Sequence, residues 1–447
     1  MATAYISRTL GTPTNAYKGT FSAWVKRGTV ATQHAFFSSS SDTNNKNQFY
    51  FTSTGALEFY GKTSSVANVY LQTTRLFRDP GAWYHIVLAW DTEQVTDTDR
   101  VKLYVNGTQY TWDAQTTQPA EDAVLRTNVS GETFMVGASQ GPADYWDGDM
   151  SWVQFVDGLQ LAPTEFGSVD STSGIWKIKP TAYGTPGTNG FCLKMEDRSN
   201  LDLDTSSNAH TMTTSGTLTA TYDNPSNNFC TMNPLINRSL LTYSNGNNTI
   251  AGYGDGYSRG GYGTMAVSAS KWYYEFKVNS TVPGNTIMGI GNVAGMLAKS
   301  DLRFNPFSSG TGYSYGYKHV SGDKVTAGTE SSYGNTWGQN DIMSCAIDLD
   351  NLKIYFGKNG TWQDSGDPTS GASGTGAAFT IQSGEDYLPA QQFDNGPTIE
   401  FNFGNGFFGT TSTGTTEADD AGIGQFKYDV PAGYYAICTK NIKAYGG

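Results

Sequence analysis

Val101-Lys102-Leu103-Tyr104-Val105-Asn106-Gly107 sets the period that the rest of the chain repeats. Val101, Leu103 and Val105 take alternate positions, the two-residue repeat of a strand with one face turned to a core. Asn106-Gly107 follows at once, the pair that best tolerates the positive φ angles of a two-residue hairpin turn. Upstream, Phe21, Ala23 and Val25 alternate with Ser22, Trp24 and Lys26. Trp83–Trp90 (WYHIVLAW) is apolar on both faces, as a strand buried between layers would be. Further runs are Phe134–Val136, Met150–Phe155 and Phe191–Met195, then Trp272–Val278, Ile287–Ile290, Ile342–Leu349, Leu352–Phe356, Ile399–Phe403 and Tyr434–Cys438. A second hairpin signal, Asn359-Gly360, follows Leu352–Phe356. No amphipathic helix longer than a turn or two is visible. Many short strands with turn signals between them predict an all-β protein of sandwiches or barrels.

Composition agrees. The chain has 447 residues, enough for two or three domains at ~100–200 residues each. Aromatic residues make up 13%, which excludes a disordered chain. Acids outnumber bases 40 to 28, for a net charge of −12, so binding by phosphate neutralisation is not expected and nucleic acid is not a predicted partner. Thr, Ser, Asn, Gly and Tyr are abundant, in place of the Glu, Lys, Leu and Ala of helical bundles. No stretch approaches the ~20 apolar residues that span a bilayer, so membrane insertion is not expected. The opening Met-Ala-Thr-Ala-Tyr-Ile lacks the basic and apolar regions of a signal peptide. Cys192, Cys230, Cys345 and Cys438 are too few for a disulfide scaffold and show no C-x-x-C spacing; Cys345 and Cys438 sit in apolar runs and are expected to be buried thiols in a reducing compartment. The polar, turn-rich stretch Asp223–Asn228 marks a boundary, giving domains 1–222 and 223–447. Loops dense in Gly, Ser and Thr cover Ser365–Gly376 and Gly404–Thr416. No heptads occur, so any oligomer would assemble through the domains.

Catalytic patterns find little support. G-x-S-x-G occurs at Gly137–Gly141, Gly256–Gly260 and Gly312–Gly316, but a nucleophile elbow needs a helix after the serine and none is predicted. Paired acids for glycoside cleavage would sit two residues apart on one strand face. Asp97/Asp99, Asp147/Asp149, Asp202/Asp204 and Asp348/Asp350 have that spacing, yet each lies at a turn or strand end, where Asp usually caps or bends the chain. Calcium needs six to eight oxygens; Asp147 and Asp149 would supply two, and no ligand set is assigned. The His spacings offer no zinc site, and no P-loop or dinucleotide fingerprint occurs. The expectation is a protein with no catalytic residue and no cofactor. Tyr253, Tyr257 and Tyr262 share one Gly-rich tract; Tyr313, Tyr333 and Trp337 lie in or near a second. Tyr and Trp give rigid contact area with a polar tip and stack on sugar rings, so these six are the candidate ligand-binding residues.

Two family resemblances emerge. Gly19–Arg27, Trp83-Tyr84-His85-Ile86-Val87, Asp91, Val101–Gly107, Val136-Gly137 and Trp146-Asp147-Gly148-Asp149 follow the order of a laminin-G or concanavalin A-like jelly-roll sandwich. Lys271-Trp272-Tyr273-Tyr274-Glu275-Phe276 resembles the opening strand of SPRY-like domains. Tyr315-Gly316-Tyr317, Gly338–Asp341, Ala346–Asp350, Ile354–Gly360 and Ile399–Gly404 continue that pattern. The resemblance implies two antiparallel jelly-roll-like β-sandwiches in tandem, and it places Tyr315, Tyr317 and Trp337 at SPRY core positions, a second role for Trp337.

The joining segments Phe155–Gly158, Pro163–Gly167, Gly187–Phe191 and Asn227–Pro234 resemble segments of bacteriophage tail and fibre proteins. That likeness implies a virion protein, assembled in the host cytoplasm and displayed as tail fibre, tail-associated or capsid decoration protein. Its partners would be other virion proteins, further copies of itself, and host-surface glycans or proteins. The first strand arrives by Phe21 with no anchoring segment before it, which shifts the expectation from fibre towards tail or capsid decoration. The alternatives are a glycan depolymerase on the first domain and a cellular lectin or SPRY-type peptide-binding module.

Overall fold

Val101–Val105 forms a strand whose odd positions are buried and whose even positions are half-buried. Asn106 (φ 48°) and Gly107 (φ 78°) then turn the chain into the paired strand Thr108–Tyr110. The second Asn-Gly does the same: Asn359 (φ 50°) and Gly360 (φ 80°) join Lys353–Lys358 to Thr361–Trp362. The structure is a computed structural model that describes residues 3–113, 117–236, 241–252, 254, 258–282, 284–298, 305–310, 312–415 and 417–446. The chain divides into two compact units, one of Met1–Ala220 with Asn224–Ser226 and one of Thr221–Asp223 with Asn227–Gly447.

The first unit is a sandwich of two antiparallel sheets. The seven-stranded sheet runs in the order Thr213–Ser215, Tyr5–Thr9, Thr133–Val136, His34–Asp42, Asn45–Phe51, Ala56–Thr63, Val66–Leu76. The six-stranded sheet runs Phe191–Leu193, Gly148–Asp157, Lys18–Arg27, Tyr84–Asp91, Val101–Val105, Thr108–Tyr110. Rings join the layers, Phe21 tilted against Phe37 at 4.6 Å and Phe155 stacked on Phe134 at 5.0 Å between centroids, while Phe37 stacks on Phe134 within the seven-stranded sheet at 5.0 Å. Tyr84–Asp91 lies inside the six-stranded sheet, with Ile86, Leu88 and Trp90 in that core. Its other face meets a second layer: Val87 packs with Val156 and Phe166, beside half-buried Tyr104, Leu161 and Tyr183. Residues 161–183 therefore supply the cover that makes this strand apolar on both sides.

The second unit repeats the plan with different connections. Lys271–Val278 sits between Ile342–Asp348 and Thr398–Asn402 in a nine-stranded sheet. A six-stranded sheet, Ser258–Tyr262, Tyr387–Asp394, Thr286–Asn292, Ser314–Lys318, Asp323–Thr326, Thr329–Ser332, faces it across the core. Trp272, Tyr274, Phe276 and Val278 point into that core, while Tyr273 packs on the opposite side against Phe426 at 4.8 Å. The run Tyr434–Cys438 yields only the two-residue strand Tyr435–Ala436, paired parallel to Trp272 and Tyr273. Its residues alternate between the two faces of the sheet: Ile437 enters the main core, while Tyr434, Ala436 and Cys438 cluster on the other face with Phe229 and Tyr273. Helices among the described residues are short: Asp97–Arg100, Val293–Ala298 and Thr439–Tyr445.

Candidate functional site

Of the six aromatic candidates, Tyr253 and Tyr257 lie outside the described residues. Tyr262 is fully buried, clustered with Ile287, Phe307 and Leu388. A Cβ at Gly291 would stand 2.8 Å from its ring, so the packing leaves no space above it. Burial pushes its phenol well above the usual range. Trp337 is 3% exposed, with Phe276 at 5.5 Å, Tyr317 at 6.3 Å and His319 at 5.7 Å around it. Neither ring has a face to offer, which corrects the expectation that Tyr262 and Trp337 bind ligand. An aromatic side chain buries 150–250 Å², and both side chains spend that area on the core.

Tyr333 is half-buried and clamped. Its hydroxyl donates to the Gly376 carbonyl (3.3 Å) and accepts from the Phe356 N–H (3.2 Å), and its ring stands edge-on to Tyr317 at 5.5 Å. Tyr313 is 44% exposed. Its N–H donates to Asn292 Oδ1 (3.1 Å), which also accepts from the Gly295 N–H (2.9 Å), so the loop end is fixed while the ring is open. Tyr313 stands just before the strand Ser314–Lys318, and Tyr333 packs on Tyr317 near its other end. Four residues of strand separate the two positions by ~13 Å, so they do not make one continuous patch.

The first unit holds a Ser–His pair that the sequence patterns did not single out. Ser22 Oγ lies 2.9 Å from His85 Nε2, and both residues are buried. The Trp176 indole N–H donates to His85 Nδ1 at 2.9 Å. An indole N–H is a donor only, so Nδ1 accepts, Nε2 carries the proton, and His85 donates to Ser22. A base-activated serine needs the opposite polarity, with the imidazole accepting from the hydroxyl. Burial also pushes His85 down to about 3, so it stays neutral. The rings form a stack, Trp24 to His85 at 4.9 Å and His85 to Trp176 at 5.9 Å, which seats residues 167–178 on the outer face of the sheet. Two of the G-x-S-x-G serines are engaged elsewhere, Ser139 Oγ donating to Asp144 (2.7 Å) and Ser258 Oγ to Asp394 (2.7 Å), while Ser314 is buried at a strand start.

The acids at i,i+2 spacing hold turns. Asp204 accepts from the N–H groups of Cys192 (2.8 Å), Ser206 (2.9 Å) and His210 (2.8 Å), while Asp202 accepts from Thr214 Oγ1 (2.6 Å). Asp348 accepts from Asn351 N–H (2.9 Å) and pairs with Lys271 (3.1 Å); Asp350 accepts from Ser270 N–H (3.0 Å). Asp147 accepts from Thr29 Oγ1 (2.9 Å), and Asp99 pairs with Lys102 (3.1 Å). Among the described residues no group of three or more His, Cys, Asp or Glu is placed to hold a metal ion. No described helix is long and apolar enough to cross a membrane.

Three buried carboxylates went unnoticed in the sequence because their donors are scattered along it. Asp157 accepts from Thr14 N–H (2.8 Å), Asn189 N–H (3.0 Å) and Asn128 Nδ2 (2.6 Å). Asp419 accepts from Ile423 N–H (2.7 Å), Ala436 N–H (2.9 Å) and Asn441 Nδ2 (2.7 Å). Glu275 accepts from Lys427 N–H (2.8 Å), Tyr428 N–H (2.9 Å) and Tyr273 Oη (3.0 Å).

Comparison with known proteins fits this architecture. Residues 2–163 match the Laminin_G_3 family, described as the concanavalin A-like lectin/glucanases superfamily, and residues 271–406 match the SPRY domain family. The chain thus carries a concanavalin A-like domain followed by a SPRY domain, two β-sandwiches in tandem. Among solved structures it is similar to the SPRY domain of human HERC1, with 19% identity over 38% of this chain and 96% of that one, at a TM-score of 0.30. A second human SPRY domain is similar at 17% identity, covering 36% and 93% of the two chains, TM-score 0.26. The heptameric SAP-like pentraxin from Limulus polyphemus is similar at 18% identity, covering 34% and 69%, TM-score 0.25.

Proposed function

We propose that this chain is a non-catalytic bacteriophage virion protein, a tail fibre, tail-associated or capsid decoration component. It acts in particle assembly and in adhesion to host-surface glycans or proteins. The observation that carries the proposal is the order of the two domains, lectin-like then SPRY, both folds of the binding type. The joining segments, similar to those of phage tail and fibre proteins, add the particle context. The donor role of His85 towards Ser22 gives this Ser–His pair the wrong polarity for nucleophilic chemistry. Adhesion through such domains works by copy number: weak single contacts gain strongly when many copies engage together.

Cryo-EM reconstruction of an assembled particle tests the proposal. Density at the tail or fibre tips supports adhesion, and density over the capsomers supports decoration. Absence from any particle overturns it in favour of a cellular lectin or SPRY peptide-binding module.

A further inference from the structure

Two loops of the second unit face each other across a groove of about 310 Å³. One wall is Trp362 with Asp367 and Pro368; the other is Asp429 with Pro431 and Ala432. This volume is at the small end of the ~300–1,000 Å³ of ligand pockets, room for one or two side chains of a peptide.

Both walls are fixed before any ligand arrives. Trp362 is held in the hairpin by its pairing with Gly357. The Pro368 carbonyl accepts from the hydroxyl of fully buried Tyr434 (2.9 Å), and the Asp367 N–H donates to the Thr375 carbonyl (3.0 Å). The facing loop is anchored where Lys427 and Tyr428 donate their N–H groups to buried Glu275, and it closes through Tyr434 N–H to the Pro431 carbonyl (3.1 Å). Preorganisation of this kind lowers the ordering cost of binding.

The charge is one-sided. Asp367 and Asp429 are both exposed, and among the described residues neither makes an ion pair. Asp367 uses Oδ1 to accept from Thr369 N–H (2.8 Å) and Oγ1 (2.6 Å), which holds its carboxylate in place. Trp362 is half-buried, so part of its ring faces the opening. Two carboxylates beside an indole face, with proline on either side, suit a guanidinium or ammonium group that pairs with the acids and lies over the ring.

We propose that this groove binds a cationic peptide segment, an exposed Arg- or Lys-bearing loop or tail of a protein partner. It is distinct from the aromatic loops around Tyr313, and it does not depend on where the chain resides.

The test titrates a capped Gly-Arg-Gly-Arg peptide into the full chain, with capped Gly-Glu-Gly-Glu as control, following the indole N–H resonances. The resonance of Trp362, assigned with W362F, is expected to shift with the arginine peptide and not with the glutamate peptide. D367N and D429N together are expected to weaken binding about fivefold to tenfold, the effect of two partly exposed charges. Asn retains the Oδ1 that caps the Thr369 turn, so the loop survives, and D429N alone, at an exposed position, gives a second variant free of that turn. Shifts confined to other indoles, equal affinity in the Asn variants, or no binding overturns the proposal.

Discussion

The Trp176 indole donates its N–H to Nδ1 of His85 at 2.9 Å, and this single bond decides what His85 is. With Nδ1 accepting and the ring 1% exposed, the imidazole is a neutral, Nε2-protonated donor to Ser22. The hairpin that carries Trp176 is otherwise largely exposed, so the ring is its anchor. Gly107 and Gly167 make the seat: a Cβ at either would stand 2.6 Å from the indole.

Replacing Trp176 by Phe keeps a ring in the seat and removes the donor. A buried acceptor left unpaired costs about 1–3 kcal/mol, so W176F should destabilise the first unit by that much. The ordinary imidazole value is 6.5 and burial takes His85 to about 3. Between those values the unfolded state holds more protons. His85 should therefore contribute a fall in stability as pH drops from about 6.5 to about 3, by about 1.4 kcal/mol per unit, opposed between about 7 and 4.5 by Glu132, which burial raises from 4.5 to about 7. Nitrogen-15 spectra of His85 should show the neutral Nε2–H tautomer throughout pH 5–8; an imidazolium signal in that range would contradict the hydrogen-bond polarity.

Glu275 predicts the opposite slope in the second unit. Its carboxyl is fully buried, and burial outweighs its four donors to raise it from 4.5 to about 7. Between those values the folded state holds the proton and the unfolded state does not. Stability should fall as pH rises from about 4.5 to about 7, by about 1.4 kcal/mol per unit, and level off above. E275Q has no such proton to lose, so its urea midpoints for this unit should lack this contribution and fall less over that range than those of the wild type. A wild-type profile parallel to that of E275Q would show that Glu275 is charged at both ends of the range.

The architecture was legible wherever burial follows the two-residue repeat. Val101–Gly107 and Leu352–Gly360 read directly as strand and Asn-Gly turn, because the pattern and the turn chemistry are both local. Tyr434–Cys438 read as an ordinary strand and became a two-residue parallel contact, since what it packs on, Phe229 and Tyr273, lies far away in sequence. The candidate site was less legible for the same reason. Tyr and Trp in Gly-rich tracts serve a core or a surface equally well, and only the packing partners of Tyr262 and Trp337 decide between them. Trp362, Asp367 and Asp429 were passed over because their walls are joined in space and not in sequence.

Tyr313 separates adhesion from folding. Its ring is the open one among the described candidates, so Y313A should leave the melting temperature within about 1 °C of wild type, as surface changes usually do. If adhesion uses this loop, Y313A should reduce binding of the assembled protein to host cells. Y262A empties a packed position and should cost about 3–5 kcal/mol. Y333A removes two hydrogen bonds and should cost about 1–3 kcal/mol. Loss of host binding in Y333A together with full binding in Y313A would move the contact surface away from Tyr313.

The four cysteines are buried thiols, and burial raises Cys192 and Cys438 to about 11 and Cys345 further still. Only the thiolate attacks an aromatic disulfide reagent, so the native chain should show almost no labelling at about pH 8, and the denatured chain four thiols. The order of slow native labelling follows from position. Cys438 lies between the two-residue strand Tyr435–Ala436 and the short helix Thr439–Tyr445, bridged to Phe229 and with its carbonyl accepting from Ile442 N–H (2.9 Å). Cys345 lies mid-strand, paired to Tyr274 on one side and Phe356 on the other. Segments with little strand pairing open at lower free energy than central strands, so Cys438, beside a two-residue strand, should label well before Cys345, with mass spectrometry of the peptides reporting each. Simultaneous labelling of both would mean that this segment opens only when the whole second unit unfolds, and that the hydrogen bonds of Asp419 to Ala436 and Asn441 hold as firmly as the sheet.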